Sequence, residues 1–406
     1  MLRRSSNTSQ GDRRKLRIAL PRGRYRYVRA RWRVLAGLID VMGYLVLWPM
    51  RTWSAQERHT EAPTKAILVV QLDHLGDAIL STRFLRELRE QYPAARIDVL
   101  ASPASAAWFR LCQDVDEIRI MPKTRFDRGG LWRWAMDYVR TGLALRRRDY
   151  DLAIDVRGEL PHALLLFLSG ARRRIGWNAG GGGFLLTDSV EYDALRHESE
   201  SRRALFRVAT GRVLPRDGDA EQFTLAREDD RCEGWRAESP APGEVRCVVL
   251  HIGAGTSAKR WPIEYWERLT HGLLERLPKA TVALVGSAAE RDGAERIATT
   301  LTDERCVNLC GRLELDQLVE LIAGAGVFVG ADSGPAHLAA LVETPTVVLF
   351  SGTNRSEVWR PLGAHVDVLR CAVACAPCHR AVCPFDDHPC MRGIRAETVL
   401  DHVVES

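Results

Sequence analysis

Short, unbroken apolar runs alternate with helical patterns along most of this chain, and they do so in two separate series. An apolar run without polar alternation is typical of a strand buried on both faces of a parallel sheet. Parallel strands need crossover connections, which helices normally supply. The pattern therefore predicts two doubly wound α/β units. The predicted strands are residues 66–70, 96–101, 117–121 and 152–155 in the first series, and residues 247–251, 282–286, 327–331 and 346–350 in the second.

Apolar residues at helical spacing mark the connections between these strands. In the first series Ile79, Phe84, Leu85 and Leu88 predict one helix that ends near residues 92–93. A charged stretch with Pro and Gly separates the two series, so the sheets are expected to face each other across a cleft at their carboxyl ends. The predicted helices of the second series are residues 263–276, 290–301, 315–323 and 335–341. The predicted domains are residues 1–62 (basic arm and amphipathic helix), 63–215 (first Rossmann-like domain), 216–244 (inter-domain region) and 245–406 (second Rossmann-like domain with a Cys-rich tail).

The formal net charge of +6 comes from the amino-terminal end. Residues 1–33 hold twelve Arg and Lys side chains against one acidic side chain, and the remaining residues hold 46 basic and 51 acidic ones. A protein that binds nucleic acid over its whole surface is therefore not expected. We expect no nucleic-acid partner for this chain.

An apolar stretch, residues 34–50, follows the basic arm. It is short for a membrane span and carries Asp40 near its middle. Two interpretations stay open: an in-plane helix on an anionic membrane surface, or a helix packed on the protein body behind a basic arm. The first predicts a cytoplasmic protein held peripherally on the cytoplasmic face of the inner membrane. The apolar residues at helical spacing are Val34, Leu35, Leu38, Val41, Met42 and Leu45.

The first candidate site is residues 73–77, Asp-His-Leu-Gly-Asp, between a predicted strand and helix. Gly76 permits a tight turn, and Asp77 is expected at or near the start of the helix. There it either caps free amides or offers an ionised carboxylate that accepts a proton from a sugar hydroxyl. The local pattern by itself favours the cap.

The second candidate is residues 251–262, a strand end followed by a loop of small residues, two cations and a Pro. Small residues let backbone amides approach a diphosphate, the hydroxyls of Thr256 and Ser257 can donate to it, and Lys259 adds a positive charge. The glycine spacing matches neither a Walker loop nor a dinucleotide fingerprint. Phosphate binding is favoured over a plain strand-to-helix turn because the basic pair lies beside the loop.

The third candidate is residues 332–338, Asp-Ser-Gly-Pro-Ala-His-Leu, after another apolar run. Pro335 fits the first turn of a helix, and the exposed amides there form an anion site. An anion would be repelled by Asp332, which is better suited to bind sugar hydroxyls. His337 is interpreted as either a core histidine or a ligand contact. The anion site is predicted at the amides around Ser333, Gly334 and Ala336, and the predicted ligand-binding residues of this segment are Asp332, Ser333, Gly334, Pro335, Ala336 and His337.

In order and spacing, these three segments resemble the lipopolysaccharide heptosyltransferases of glycosyltransferase family 9, over residues 66–405. The resemblance implies the GT-B fold and inverting, metal-independent transfer of heptose from ADP-heptose to a lipid-linked saccharide acceptor. By position it implies that Asp77 is the catalytic base, that Lys259 contacts the donor phosphate and that Asp332 binds sugar hydroxyls. Glu290 matches, more weakly, a carboxylate that holds the ribose. Neither a cofactor nor an active-site metal ion is expected.

Departures from the family pattern concern mainly the acceptor. Asp73 and His74 stand where small residues are usual, on the acceptor side of the proposed base, and Asn354 replaces a common Asp. Three alternatives remain at this point: another nucleotide sugar as donor, a GT-B nucleotide-sugar epimerase, or a non-catalytic membrane-associated binding protein. Structural or redox-inert roles are favoured over a zinc site for the late cysteines, Cys371, Cys375, Cys378, Cys383 and Cys390.

Overall fold

The computed structural model describes residues 30–54, 63–122, 130–212 and 247–405. Most of the basic arm and the predicted inter-domain region, residues 216–244, therefore lie outside the described residues. Within the described ranges no helix is both long enough and apolar enough to cross a membrane.

The first sheet has six parallel strands in the order β3-β2-β1-β4-β5-β6. Its central strand β1 pairs with β2 on one side and β4 on the other, so the strand order reverses between β1 and β4. Loops that follow strands on either side of such a reversal form the usual ligand crevice. The strands are β1 (Ala66–Gln71), β2 (Arg96–Ala101), β3 (Glu117–Ile120), β4 (Leu152–Asp155), β5 (Arg173–Trp177) and β6 (Asp188–Val190).

The second sheet repeats this topology, in the order β12-β11-β10-β7-β8-β9. Here the reversal lies between β7 and β10. The prediction of two Rossmann-like, doubly wound parallel sheets is confirmed. The strands are β7 (Cys247–His251), β8 (Thr281–Val285), β9 (Cys306–Asn308), β10 (Val327–Ala331), β11 (Thr346–Leu349) and β12 (Val366–Leu369).

Helices cover both faces of each sheet. In the amino-terminal domain they are α1 (Ala30–Ser54), α2 (Leu75–Leu80), α3 (Thr82–Gln91), α4 (Pro103–Arg110), α5 (Leu131–Arg146), α6 (Leu160–Leu168) and α7 (Glu198–Thr210). In the carboxyl-terminal domain they are α8 (Ile263–Arg276), α9 (Arg291–Leu301), α10 (Leu315–Ala323), α11 (Gly334–Leu341), α12 (Ser356–Trp359), α13 (Pro389–Arg392) and α14 (Ala396–Glu405). Single 3₁₀ turns occupy Gly183–Leu185, Ser257–Lys259 and Ala288–Glu290.

The single helix predicted after β1 is wrong, because two helices, α2 and α3, meet at Ser81. The Ser81 hydroxyl donates to the carbonyl oxygen of Asp77 at 3.1 Å, and Arg202 Nη2 donates to the same carbonyl at 3.1 Å. These side-chain donors satisfy the carbonyl at the point where one helix gives way to the next. The apolar stripe itself is buried as predicted: Ile79, Phe84, Leu85 and Leu88 all lie in the core.

Helix α1 packs on the protein body through its small and polar face. The buried Asp40 accepts a hydrogen bond from the amide of Gly182 at 2.7 Å, and Tyr44 meets Phe184 edge to face. The apolar stripe predicted from the sequence points the other way: Leu38 is 60% exposed and Leu45 is 69% exposed.

Candidate active site between the two domains

Two glycines bring the domains into contact at the carboxyl edges of their sheets. A Cβ on Gly76, in α2, would lie 3.4 Å from the Cα of Gly334, the first residue of α11. A Cβ on Gly334 would in turn lie 3.3 Å from the amide nitrogen of Gly76. A Cβ at Gly334 would be tight against this backbone, whereas a Cβ at Gly76 would make an ordinary van der Waals contact, so the first turns of α2 and α11 lie in close contact. The first and third candidate segments therefore meet in one place.

Asp77 lies in the first turn of α2, whereas the N-cap position is occupied by His74. The prediction that Asp77 caps the helix is therefore wrong by position, because capping requires the residue before the first turn. Its carboxylate lies 4.0 Å from Arg157 Nη1 and 4.0 Å from Arg202 Nη2. Asp77 is thus placed beside two guanidinium groups, at the edge where the other domain begins.

A second carboxylate, Asp73, shares Arg157 with Asp77. Asp73 is buried and makes an ion pair with Arg157 Nη1, and Gln71 Nε2 donates to it at 3.3 Å. Burial raises the pKa of Asp73 to about 7, against the opposing effect of the Arg157 charge. Asp73 is therefore poised to change its charge near neutral pH. The neighbouring predicted acceptor-side residue, His74, is exposed at the surface of the cleft.

Arg157 is a site residue that the sequence patterns did not identify. It follows β4, the strand that pairs with β1, and its Nε donates to Glu159 at 2.9 Å. Burial lowers its pKa, but Asp73, Asp77 and Glu159 together raise it, so the guanidinium stays charged. Asp155 at the end of β4 positions the loop by accepting the amide of Arg157 at 2.9 Å. The sequence could have drawn attention to Arg157 because it follows a predicted buried strand. Only the strand order, in which β4 lies next to β1, shows that Arg157 is close to Asp73 and Asp77.

Arg202 carries no local signal, because it reaches the site from α7. Its side chain is buried, and its Nε donates to the Ser81 hydroxyl at 2.9 Å. A second link from the same region crosses the domains: His197 Nε2 donates to the carbonyl oxygen of Arg360 at 2.9 Å. Helix α7 and the turn before it therefore support both Asp77 and the interface between the domains.

On the opposite wall Lys259 and Asp332 form an ion pair. Lys259 Nζ lies 2.6 Å from Asp332 Oδ2 and also donates to the Asp332 carbonyl oxygen at 3.2 Å. The amide of Asn354 lies 3.5 Å from the same carboxylate oxygen. Lys259 was predicted to contact the donor phosphate and Asp332 to bind sugar hydroxyls. In this structure the two side chains bind each other. The pair neutralises a carboxylate that would otherwise repel an anion at the start of α11.

The start of α11 has the features of an anion site. Ser333 precedes the helix with an extended backbone, and its hydroxyl donates to the Ala331 carbonyl oxygen at 3.1 Å instead of capping the helix. Pro335 stands in the first turn. Burial lowers the pKa of His337 to about 4, although Asp332 and Asp77 act in the opposite direction. His337 is therefore neutral at physiological pH, and it lies beside Gly76, with a ring carbon 3.5 Å from where a Cβ of that glycine would stand.

The loop after β7 brings the second candidate segment to the same edge, next to β10. The Thr256 hydroxyl is buried and has no hydrogen-bond partner among the described residues. The Ser257 hydroxyl donates at 3.2 Å to the carbonyl of Ala381 in the carboxyl-terminal tail, so in this structure it is turned toward the tail. Trp261 anchors the far end of the loop by donating to the Ile394 carbonyl at 2.9 Å. The carboxyl-terminal tail therefore fixes this loop through hydrogen bonds to Ser257 and Trp261.

Glu290 contacts the same loop from the side. Its carboxylate accepts from the amide of Ser287 at 3.0 Å, and Arg260 Nη2 donates to it at 3.3 Å. A Cβ on Gly253 would lie 3.1 Å from the Glu290 carboxyl carbon. Burial lowers the pKa of His251 to about 4, with Glu290 opposing the shift. Glu290 therefore lies next to the loop, and its carboxylate also caps the 3₁₀ turn Ala288–Glu290 through the amide of Ser287.

The late cysteines lie behind this loop. A cavity of about 220 Å³ there is lined by Cys375, Cys378, Cys383 and Cys390 together with Ala258 and His388, among others. His388 Nε2 donates to the Ala258 carbonyl oxygen at 3.0 Å. Among the described residues no three His, Cys, Asp or Glu side chains are grouped so that they could hold a metal ion.

Comparison with known proteins assigns this arrangement to a family. The model of glycosyltransferase family 9 (heptosyltransferase) matches residues 138–388. Lipopolysaccharide heptosyltransferase 1 of Pseudomonas aeruginosa is 30% identical over 338 residues, which cover 79% of this chain and 87% of that protein. Lipopolysaccharide heptosyltransferase 2 of Escherichia coli is 29% identical over 319 residues, which cover 75% of this chain and 87% of that protein.

A solved structure agrees on the fold. The structure of E. coli ADP-heptose lipopolysaccharide heptosyltransferase II matches with a TM-score of 0.65 at 24% identity, over 84% of this chain and 98% of that one. The predicted GT-B arrangement is confirmed, and the epimerase and binding-protein alternatives give way to an enzyme of the matched family. The chain belongs to glycosyltransferase family 9, the heptosyltransferases.

Proposed function

We propose that this enzyme transfers heptose from ADP-heptose to a lipid-linked saccharide with inversion at the sugar carbon. The observation that carries the proposal is the contact between Gly76 and Gly334, which sets a carboxylate from one domain opposite a helix start and a lysine from the other. The donor is inferred from the relatives, which are named as lipopolysaccharide heptosyltransferases, one of them with ADP-heptose.

In the proposed reaction Asp77 accepts the proton of an acceptor hydroxyl as its oxygen bonds to the sugar carbon. The bond from that carbon to the diphosphate breaks on the opposite side, and ADP leaves with the electron pair. Arg157 and Arg202 hold the Asp77 side of the site in place, since both guanidinium groups lie 4.0 Å from the carboxylate. A base held in position in this way is typically worth about 10²–10⁴ in rate.

The donor side of the proposal rests on Lys259 and on the start of α11. The amides of Ser333 and Gly334 would meet the diphosphate at the positive end of the helix, whereas the Ala336 amide donates to the Ser333 carbonyl oxygen at 3.2 Å. The Lys259 ammonium would stabilise the charge that develops on the leaving phosphate. Asp332, already held by Lys259, would accept hydrogen bonds from sugar hydroxyls. The hydroxyl of Thr256 would find its missing partner in the diphosphate. Glu290 would hold the ribose from the other side of the loop.

The acceptor is assigned to the side of Asp73, His74 and Arg157. Arg157 is partly exposed to the cleft, where it can meet a carboxylate or phosphate of the acceptor. The lipid part of the acceptor would remain in the membrane.

We also propose that α1 holds the enzyme on the cytoplasmic face of the inner membrane. Soluble helices turn their apolar face toward the core, whereas α1 turns Asp40 inward and Leu38 and Leu45 outward. The basic residues before α1 would meet anionic headgroups.

A donor screen tests the proposal. Purified enzyme is given ADP-heptose, UDP-hexoses or ADP alone, with a Kdo-bearing or heptosylated core acceptor and a chelator in place of added metal. We expect acceptor-dependent product with ADP-heptose, and inversion at the new bond by NMR. Full activity with UDP-hexoses and none with ADP-heptose would overturn the donor assignment. Loss of activity in the chelator would overturn the metal-independent mechanism.

A further inference from the structure

Helix α5 has an outward apolar stripe like that of α1. Trp132 is 77% exposed, Leu143 is 50% exposed, and Val139 lies between them on the same face of the helix. The spacings of seven and four residues place all three on one side of an α-helix. The opposite side of α5 packs into the core through Tyr138 and Leu145. Helix α5 therefore has two apolar faces. One packs into the core, and the outward stripe is not needed for that packing.

Arginines run along the edge of this stripe. Arg133, Arg140 and Arg147 recur every seven residues, and each is exposed. A seven-residue spacing returns to nearly the same side of the helix, next to Trp132 and Leu143. Apolar side chains flanked by a row of arginines, with a tryptophan among them, fit the boundary between lipid headgroups and acyl chains. The long arginine side chains can reach outward to phosphate while the neighbouring apolar groups enter the bilayer.

Exposed apolar side chains are concentrated on α1 and α5. Of the fifteen large hydrophobic side chains that are exposed among the described residues, seven lie on α1 and three on α5. Scattered exposed hydrophobic residues are ordinary on a soluble surface, but a concentration on two helices marks an interaction surface.

The two helices lie on the same side of the amino-terminal sheet, linked through α6. Helix α5 packs against α6, where Gly142 meets Leu168. The other end of α6 packs against the turn Gly183–Leu185, on which α1 rests. Phe184 in that turn packs on the same core cluster as Tyr138 of α5. The exposed apolar faces of α1 and α5 both point away from this shared core.

Resting on the membrane attachment proposed for α1, we propose that α5 is a second lipid-contacting element and that the two helices together form one surface for an anionic bilayer. In a parallel α/β unit a crossover helix begins at the carboxyl edge of the sheet. Trp132, at the start of α5, therefore lies toward the same edge as Asp77. With α1 alone in the bilayer surface, the domain could still rotate about the axis of α1. A second contact through α5 would fix the orientation of the domain on the membrane. The bilayer would thus present a lipid-linked acceptor to the edge of the sheet that carries the base.

Vesicle co-sedimentation of the full-length enzyme tests this surface. The α5 variant is Trp132→Ser with Leu143→Ser, the α1 variant is Leu38→Ser with Leu45→Ser, and the matched control is Leu195→Ser with Val382→Ser, which are 66% and 69% exposed elsewhere. We expect both the α5 and α1 variants to bind phosphatidylcholine–phosphatidylglycerol vesicles about tenfold more weakly, and the control to bind like wild type. Changing Arg133, Arg140 and Arg147 to Gln should weaken binding to these vesicles roughly tenfold or more, and this loss should disappear at high salt.

The outcomes separate the two proposals. If the α1 variant loses binding and the α5 variant does not, the second contact is overturned and attachment through α1 stands. If neither variant loses binding, both α1 and α5 are overturned as lipid contacts. If the wild type sediments as a dimer without vesicles and the α5 variant as a monomer, a second copy covers the stripe and the lipid assignment is overturned. Turnover with a water-soluble acceptor fragment should be unchanged in all variants, which excludes misfolding as the cause.

Discussion

The carboxyl edges of the two sheets have the same strand order but opposite chemistry. The edge of the amino-terminal sheet carries a network of charges, in which Asp73 and Asp77 share Arg157. The edge of the carboxyl-terminal sheet carries small residues, buried imidazoles and two separate ion pairs, Lys259 with Asp332 and Arg260 with Glu290. One topology thus supports two kinds of crevice, because the loops rather than the strands supply the functional groups.

The difference follows from what each wall is proposed to hold. A wall that takes a proton from a hydroxyl needs carboxylates whose charge is controlled by neighbouring cations. A wall that holds a diphosphate needs backbone amides, a cation and little negative charge. Burial lowers the pKa of both His251 and His337 to about 4, so these rings fill the donor wall without adding charge.

Asp77→Asn tests the acceptor wall and has the largest expected effect. The amide keeps the shape of the side chain but cannot accept the hydroxyl proton, so turnover should fall by about 10²–10⁴-fold. ADP affinity, measured by calorimetry, should stay within about twofold of wild type, since Asp77 lies on the other wall. Loss of ADP affinity or of folding with turnover retained would make Asp77 a structural residue, and Asp73 and His74 would become the next candidates for the base.

Lys259→Ala tests the donor wall. It removes a charged hydrogen-bond donor from the diphosphate, so ADP affinity should fall roughly 10- to 100-fold. It also leaves the buried Asp332 without its cation, which should lower the free energy of unfolding by about 1–3 kcal/mol.

The double variant Lys259→Ala with Asp332→Asn separates these two effects. Stability in urea denaturation should recover, because the unpaired charge is gone, while ADP affinity should stay low. Recovery of ADP affinity as well would mean that Lys259 serves only to neutralise Asp332.

The smallest effect concerns the pH dependence of the acceptor wall. Asp73 ionises near 3.8 in an unfolded chain, but burial raises its pKa to about 7 in the folded protein. The folded state therefore binds an extra proton between about pH 4 and pH 7, and the free energy of unfolding should fall as pH rises through that window. One proton limits the slope to about 1.4 kcal/mol per pH unit. Denaturant titrations across the window should show this slope in wild type and in the exposed control Asp193→Asn, and a flatter profile in Asp73→Asn. Identical profiles in all three proteins would show that the pH dependence of stability does not come from Asp73.

Sequence alone predicts the central strands well because their burial is complete. The bounds of β2, β4, β7 and β10 match the predicted runs residue for residue. The edge strand β3 was predicted, but four other strands toward the sheet edges were missed. In β5, Arg173 and Arg174 show why, because a strand with charged side chains and few apolar ones has no unbroken apolar run. The missed strands are β5, β6, β9 and β12.

The order of three short motifs was also enough to indicate the family, since spacing over a long chain is rarely reproduced by chance. The assignment of Asp77, Lys259 and Asp332 to one cleft depended on that resemblance, and the structure brings their loops to facing edges.

Tertiary structure alone decided which groups surround those residues and which way α1 faces. Arg202 reaches Asp77 from 125 positions away, so no local pattern connects them. In α1 the sequence contained two competing faces, an apolar stripe and a small polar face with Asp40. Burial of Asp40 against the Gly182 amide fixed the second face inward. A buried carboxylate needs a hydrogen-bond donor, and the amide of Gly182, which the fold brings to α1, supplies one.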